Sequence, residues 1–235
     1  MKLVNIKKQK YNGHVYDICM AKNKNFLAEG FVVHNCAKSQ YMMYIWNQEG
    51  VVYDQPKLVM KGIKAVKIST PDVCKKSLKE AFIIIMSGTE EDLQKHVKSF
   101  QSDFNKMKFH LISTPGGTNT MNAYPKINDG FSPKTPIGVK SAHTYNSMID
   151  KLTLINEYAM IGQGDKIRYG YLKMPNPCQS NVIACIDELP DEFGLDNYID
   201  YNTQFDKTYL DTLNPILDTV GWSVKKKHTL EGLFS

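Results

Sequence analysis

Residues 25–36 read Asn-Phe-Leu-Ala-Glu-Gly-Phe-Val-Val-His-Asn-Cys. Two short apolar runs flank Gly30, a pattern that predicts two short β-strands. The three residues after the second run have the chemistry to break and remake a peptide bond. The amide of Asn35 can attack its own backbone carbonyl, His34 can protonate the amine that leaves, and the Cys36 thiol can accept an acyl group.

Residues 1–35 contain two further runs of β-strand composition, Leu3 to Tyr11 and His14 to Met20. A piece this short cannot bury a core of its own, so we expect it to be incomplete without a second polypeptide. It carries six lysines against two acids, a net charge of +4. That charge favours an acidic partner piece and electrostatically steered association.

The remaining charge is unevenly distributed. Residues 55–79 hold seven lysines against one acid, which suits a phosphate backbone. Residues 187–218 hold nine acids against one lysine and should face away from nucleic acid. A solvated protein surface explains either run equally well.

The chain has no run of about 18 apolar residues, so no membrane-spanning helix and no membrane partner are predicted. Its start leads into Lys7-Lys8 rather than into a signal peptide. Five scattered cysteines argue against a disulfide framework or a zinc site and favour the cytoplasm.

Several elements are predicted downstream. A hairpin is expected from Tyr41 to Trp46 and from Val51 to Tyr53, followed by a separate strand and loop over 57–68. Helices are expected after an N-cap at Thr70, after a capping box of Thr89 and Asp92, from Thr144 to Leu152, and over 196–220 with a break at Asn214-Pro215. Strands are expected at 167–174 and 182–186, and 111–142 should be mostly loop.

The block that ends at Cys36 resembles the C-terminal end of an intein. Only 34 residues precede Asn35, too few for a whole splicing domain, so the resemblance implies a small all-β (Hint-type) C-terminal fragment of a split intein over residues 1–35. It makes Asn35 the cyclising residue, His34 the acid and Cys36 the nucleophile. Asp17, in the acidic position of the family's Tyr-Asp motif, is implied to tune the nucleophile or to bind water.

One position departs from that pattern. Inteins often carry a histidine where this chain has Lys24. The proton role of that histidine is then absent here, or is taken by His14 or by Lys24 itself.

Residues 36–235 carry a second set of motifs in a fixed order: Lys38-Ser39-Gln40-Tyr41, Trp46 to Gly50, Pro56-Lys57-Leu58, Ser69-Thr70-Pro71, Leu78-Lys79-Glu80, Gly130 to Pro136, Thr144-Tyr145-Asn146 and Thr229 to Ser235. Together these motifs resemble the C-terminal part of a family B DNA polymerase of the tailed-phage type. The resemblance implies an α+β chain in which 36–68 end the palm with a hairpin. Residues 69–228 then form a mainly helical thumb, and 229–235 form a tail.

The resemblance also implies partners for named residues. Lys38 and Tyr41 would contact the DNA minor groove near the primer end, although Ser39-Gln40 replaces two basic residues of the family's motif. Lys67, Lys134 and Lys140 would hold duplex phosphates. The apolar side chains of the tail would bind the sliding clamp or, alternatively, pack on the chain's own thumb; these are Leu230, Leu233 and Phe234.

Family B polymerases bind Mg²⁺ through palm aspartates that lie upstream of this region. The resemblance therefore implies no cofactor in this fragment, with Mg²⁺ bound by an N-terminal polymerase fragment that also carries the intein N-half. We interpret the chain as a trans-splicing precursor of a replicative DNA polymerase in the cytoplasm of a phage host. The alternative is a DNA-binding and clamp-binding subunit that associates with its N-terminal fragment without splicing.

The isolated chain is expected to cleave itself slowly after Asn35, because succinimide formation needs only residues on this side of the junction. Intact-mass spectrometry over several days, with thiol present, measures the cleavage. The Asn35→Ala variant has no side-chain amide to cyclise and should keep its full mass. A wild-type mass that stays constant over the same days would contradict the assignment.

Overall fold

The computed structural model describes residues 25–28, 31–34, 41–48, 51–63, 67–125 and 130–225. Its helices and strands are, in chain order, β1 (Asn25–Ala28), β2 (Phe31–His34), β3 (Tyr41–Gln48), β4 (Val51–Lys61), α1 (Asp72–Ser87), α2 (Glu90–Phe104), α3 (Phe109–Ile112), β5 (Thr114–Gly117), α4 (Ile137–Lys151), β6 (Lys166–Tyr171), β7 (Val182–Cys185), α5 (Tyr201–Phe205) and α6 (Asp211–Val220). Helices and strands are thus both present. The assignment of 1–35 to an intein fragment and of 69–228 to a thumb stays a prediction.

Strands β1 and β2 form an antiparallel pair that begins with Asn25 opposite His34. The two short strands predicted on either side of Gly30 are therefore confirmed. The other strands expected in residues 1–35 lie outside the described part of the chain.

Strands β3 and β4 form the predicted hairpin, but the second strand is longer than predicted. Residues 57–61 continue β4 instead of forming a separate strand. The register shifts between Ile45 and Asn47, opposite the stretch that contains Pro56. Because proline cannot donate a ladder hydrogen bond, a local irregularity lets the strand pass through it.

Helices α1 and α2 begin close to where capping chemistry places them. The first starts at Asp72 with Pro71 as its N-cap, one residue later than the predicted cap at Thr70. The second has the predicted capping box: Thr89 Oγ1 accepts a hydrogen bond from the Asp92 amide, and the Asp92 carboxylate accepts one from the Thr89 amide. That carboxylate also accepts a hydrogen bond from the Thr89 hydroxyl, and these bonds lower the pKa of Asp92.

Strands β5, β6 and β7 form one antiparallel sheet with β6 in the centre, and α4 packs against it. One prediction was wrong here: the helix begins at Ile137, seven residues earlier than Thr144. The described residues within 111–142 are mostly loop, as predicted, but they also include β5 and the first turns of α4. In β6, Gly170 makes room for Phe109, because a Cβ at this position would lie only 2.6 Å from the phenyl ring.

The predicted helical break at Asn214-Pro215 was also wrong. Pro215 lies inside α6. The irregularity falls earlier, in a π-helical turn over Asp206–Leu210 that joins α5 to α6. Such turns accommodate an extra residue within a helix. Helix α6 ends at Gly221, whose φ of 73° suits a residue without a side chain.

Four aromatic rings form the centre of the helical part: Phe100 and Phe104 of α2, Phe205 of α5 and Tyr209 of the π-helical turn. The centroids of contacting rings in this cluster lie 4.9–5.9 Å apart. Phe104, Phe205 and Tyr209 are fully buried. Leu93 and Val97 are buried on the same face of α2 as Phe104, so these apolar side chains form one stripe along the helix.

The hydroxyl of Tyr209 lies within a buried polar chain. Ser77 Oγ donates a hydrogen bond to Tyr209 Oη at 3.1 Å and lies 2.9 Å from His96 Nε2. Burial raises the pKa of Tyr209 above its ordinary value of 10.0. The folded state therefore holds this proton more tightly than the unfolded chain does.

Stability should consequently fall with rising pH above 10, since the stabilisation is complete below the unfolded pKa and is lost only as the pH rises towards the folded one. One retained proton corresponds to a slope of about 1.4 kcal/mol per pH unit. Tyr209→Phe should make the measured slope shallower by up to that amount in denaturant titrations between pH 10 and 12. Phe205→Leu, which changes the same cluster without a titratable group, should lower the free energy of unfolding and keep the wild-type slope. An unchanged slope in Tyr209→Phe would show that Tyr209 does not retain its proton.

Candidate nucleic-acid interface

A polar cavity of about 510 Å³ opens at the N-terminal end of α4. One wall is the loop over residues 130–135 together with Ile137 and Lys140 of α4, and the other wall is the loop over residues 178–181. Pro136 caps the helix without a side-chain hydrogen bond, and no acid lies in its first turn. The first amides of a helix lack intrahelical partners and carry partial positive charge, so this end favours an anion.

Lys140 provides a full charge at the same place. Its Nζ donates a hydrogen bond to Asn181 Oδ1 at 2.8 Å, which fixes the ammonium group across the cavity from its own helix. An ammonium group has three donors, and two more can reach a ligand. Lys134 is exposed in the turn three residues before α4. Two of the three lysines predicted to hold phosphates therefore lie at one helix terminus.

The hydroxyl of Thr135 is the unusual group of this cavity. Thr135 Oγ1 is buried and has no hydrogen-bond partner in the part of the chain that the structure describes. By contrast, Thr144 and Ser180 on the same cavity bond to Lys140 O, to each other and to Val182 O. A buried hydroxyl without a partner is rare, and an anion oxygen that accepted its proton would satisfy it.

The second wall was not predicted from the sequence. Asn176 holds it in place: its side-chain amide donates to Lys173 O and Ser180 O at 2.8 Å, and its Oδ1 accepts from the Ser180 amide. Asn181 then follows directly before β7. The first wall belongs to the quoted Gly130-to-Pro136 motif, whereas no motif or periodicity marks residues 178–181.

The charge around the cavity is positive. No acidic side chain lines it among the residues that the structure describes. Three acids of the 187–218 segment, Glu188, Asp191 and Asp196, line a different cleft, where Glu188 Oε1 is 3.5 Å from Lys108 Nζ and 3.4 Å from His110 Nδ1. Arg168 is the one arginine of the chain, and it donates to His110 O. The cationic surface therefore consists of lysines, which bind phosphate as point charges without reading base sequence.

The remaining predicted residues are distributed as follows. Lys67 is exposed in the turn before α1, where its carbonyl accepts a hydrogen bond from the Thr70 amide. Tyr41 begins β3 opposite Lys61, and His34 ends β2. The other predicted site residues lie outside the described part of the chain; they are Asp17, Asn35, Cys36, Lys38, Leu230, Leu233 and Phe234.

The three described cysteines are free thiols with raised pKa values. Burial raises the pKa of Cys74 to about 11 and that of Cys185 to about 12, and it also raises the pKa of Cys178. All three are protonated at neutral pH. Because the thiolate is the nucleophile, these cysteines are poor candidates for acyl transfer.

Within the described ranges, no cluster of three or more histidine, cysteine or acidic side chains could hold a metal ion. None of the helices there combines the length and apolar character needed to cross a bilayer.

Comparisons with known proteins point to DNA polymerases. The chain is 26% identical over 204 residues to a DNA-directed DNA polymerase of Enterobacteria phage T4, and 28% identical over 202 residues to one of Escherichia phage RB69. Each match covers 84% of this chain and 22% of the relative, so the chain spans about a fifth of the length of these proteins. No family model matches. The resemblance to phage DNA polymerases is thus confirmed, whereas the resemblance of residues 1–35 to an intein stays a prediction.

Lys140→Gln should weaken binding to a DNA duplex, because it removes the charge from the cavity and retains a group that can hydrogen-bond Asn181. Removing one phosphate contact should lower the slope of log affinity against log salt by about 0.9, equally for duplexes of different sequence. Fluorescence anisotropy of labelled primer–template DNA at several salt concentrations measures both. Lys151→Gln is the matched control, since it removes the same charge at the other end of α4, where Nζ bonds to Pro177 O. Equal salt slopes for Lys140→Gln and wild type would rule out a phosphate contact at this lysine.

Proposed function

We propose that this chain is the precursor of the C-terminal part of a replicative family B DNA polymerase and is completed by protein splicing in trans. Residues 1–35 would associate with an intein N-half carried by an N-terminal polymerase fragment. They would then be excised, and residues 36–235 would be ligated to that fragment. The joined product would extend a DNA primer with deoxynucleotides in the host cytoplasm.

The similarity to two phage DNA polymerases supports the polymerase part of the proposal. The matched share of 84% leaves 16% of the chain. Residues 1–35 make up about 15% of the 235 residues, so a foreign segment of that size is compatible with the match. The observation that carries the DNA-binding part is the cavity where Lys140, the unpaired Thr135 hydroxyl and the N-terminal end of α4 meet. Lys38, Tyr41 and Lys67 would extend this contact along the duplex.

The splicing chemistry follows from the junction residues. The partner's last extein residue would first form a thioester with the N-half. The Cys36 thiolate attacks that carbonyl and expels the N-half thiol, which gives a branched chain. The Asn35 amide nitrogen then attacks the Asn35 carbonyl, the 35–36 peptide bond breaks, and His34 protonates the departing Cys36 amine. The freed amine attacks the neighbouring thioester, which restores the thiol and leaves a peptide bond.

The described residues support this assignment in two ways. His34 is held at the end of a paired strand, directly before Asn35, so its backbone position is fixed by the β1–β2 register. Burial raises the pKa values of Cys74, Cys178 and Cys185 and keeps their thiols protonated, which leaves Cys19 and Cys36 as candidate nucleophiles; of these two, Cys36 directly follows Asn35 in the sequence. Asp17 would tune that thiol or bind water.

The metal chemistry is assigned to the other fragment. Phosphoryl transfer requires Mg²⁺ held by carboxylates. We place those carboxylates in the N-terminal fragment, so the unligated chain should bind DNA without extending a primer. The sliding clamp is the proposed partner of Leu230, Leu233 and Phe234.

A second candidate function is a polymerase subunit that never splices. It is favoured by the position of the buried apolar core, whose described residues all lie between Ile63 and Leu217 of this chain. In that case residues 1–35 would be a docking element, and the two polymerase fragments would act as a non-covalent complex.

Co-expression with the upstream polymerase fragment that carries an intein N-half separates the two functions. Peptide-mapping mass spectrometry should find one peptide that joins the upstream extein to Cys36, together with free residues 1–35. A parallel Asn35→Ala, Cys36→Ala variant should give no such peptide. Two unlinked chains that co-purify from the wild-type expression would instead establish the non-splicing function and refute the roles of His34, Asn35 and Cys36.

A further inference from the structure

A second groove of about 820 Å³ runs between α2 and the α5–α6 segment, on elements that the α4 cavity does not use. Val97 of α2 and Leu210 of the π-helical turn form its apolar floor, above the buried ring of Phe205. Glu91 and Lys95 lie on its rim and form an ion pair at 3.2 Å, with most of both side chains exposed. The groove thus has an apolar base and a charged edge, the anatomy of a peptide-binding surface.

The chain itself leads into this groove. The Ser223 amide donates to Glu90 Oε1 at 2.7 Å, and Gln94 Nε2 donates to Ser223 O at 2.9 Å. These two bonds hold the chain beside the first turns of α2. Val224 and Lys225, the next residues, already line the groove.

We propose that the groove binds residues 226–235 of the same chain, with Leu230, Leu233 and Phe234 on its apolar floor. The segment after Lys225 is long enough to reach the apolar floor. From the level of Gln94 to that of Gln101, α2 rises only about 10 Å, and the five residues from Lys225 to Leu230 span up to about 17 Å when extended. The three apolar side chains therefore reach the floor without displacing the anchored Ser223.

The groove carries both signs of charge, since Glu91 and Asp206 line it together with Lys95, Lys98 and Lys225. The position of the segment directly after Lys225, rather than charge, therefore favours residues 226–235 as the occupant. The segment is also tethered, so a short link keeps it at an effective concentration of the order of 1 mM. A weak apolar contact is then enough to keep the groove occupied.

Occupation would have a consequence that rests on the proposed function. The same three apolar residues are the proposed contact with the sliding clamp, and one segment cannot occupy the groove and the clamp together. The groove would then act as an intramolecular competitor that hides the clamp-binding residues until a clamp is present.

Thiol protection in the full chain tests the groove without clamp, DNA or splicing. Gln101→Cys places a reporter thiol on the groove wall, and Asn35→Ala in every variant keeps the chain intact. Modification of this introduced thiol by N-ethylmaleimide, followed by peptide mapping, should be about fivefold to tenfold slower with the native 226–235 than with Leu230→Ala, Leu233→Ala, Phe234→Ala. Ser102→Cys is the matched control, since Ser102 is the next residue of α2, is exposed and does not line the groove. Its modification rate should be the same with both forms of the segment.

Asn202→Cys on the opposite wall provides a second reporter that does not depend on α2, and it should show the same protection. Equal rates at both groove reporters, with and without the three apolar residues, would overturn the proposal. Protection that increases between 1 and 100 µM protein would also overturn it, because a second copy of the chain would then be the occupant. Neither result would bear on splicing or on clamp binding.

Discussion

The contact between α2 and the π-helical turn is the one on which the rest of the described structure depends. It joins residues far apart in the chain: the ring centroids of Phe100 in α2 and Tyr209 lie 4.9 Å apart, and Ser77 of α1, 132 positions before Tyr209, donates a hydrogen bond to Tyr209 beside them. Closing a loop of that length has an entropic cost that only substantial burial offsets. Phe104, Phe205 and Tyr209 provide this burial, at about 1.5–3 kcal/mol for each large apolar side chain taken out of water. The segments between α2 and α5, from α3 to β7, lie within the loop of chain that this contact closes.

One side chain connects the helical closure to the sheet. Gln204 of α5 is buried, and its Nε2 donates to Ile112 O at 2.7 Å while its Oε1 accepts from the Tyr171 amide at 3.2 Å. Helix α4 lies on the same sheet, where Val139 and Ala142 are buried. The first turn of α4 and the loop before β7 are therefore parts of one packed unit. The distance between Lys140 and Asn181 is set by this packing, as a preorganised anion site requires.

The features that could be predicted from the sequence are those encoded by neighbouring residues. The capping box of Thr89 and Asp92 lies within four positions, and the stripe on α2 follows a single period. The length of α4 could not be predicted in this way, because its first turns contain Gly138 and Val139, which have low helix propensity. Both are buried, so packing on the sheet decides their conformation. Pro215 misled because a proline in a helical pattern predicts a break at its own position. In the structure it lies inside α6, and the irregularity is the π-helical turn that precedes this helix.

The candidate site likewise combines features that neighbouring residues encode with features that only the folded structure creates. Lys134 and Lys140 belong to a continuous stretch of sequence, so their proximity to each other could be foreseen, whereas the helix that begins between them could not. Asn181 and the pocket around Thr135 form only when the loop before β7 comes within hydrogen-bond distance of α4, a contact across 41 positions that no local pattern encodes. The unpaired Thr135 hydroxyl is a property of the folded cavity and has no signature in the sequence.

The β3–β4 hairpin carries a group of exposed apolar side chains, Trp46, Val51 and Val52. Among the side chains that the structure describes, the buried apolar residues run from Ile63 to Leu217, after this hairpin. Exposed apolar groups of this size mark contact surfaces. In both functions proposed above, the hairpin is therefore the surface on which the N-terminal polymerase fragment would pack, whether that fragment is ligated to this chain or bound to it without a covalent bond.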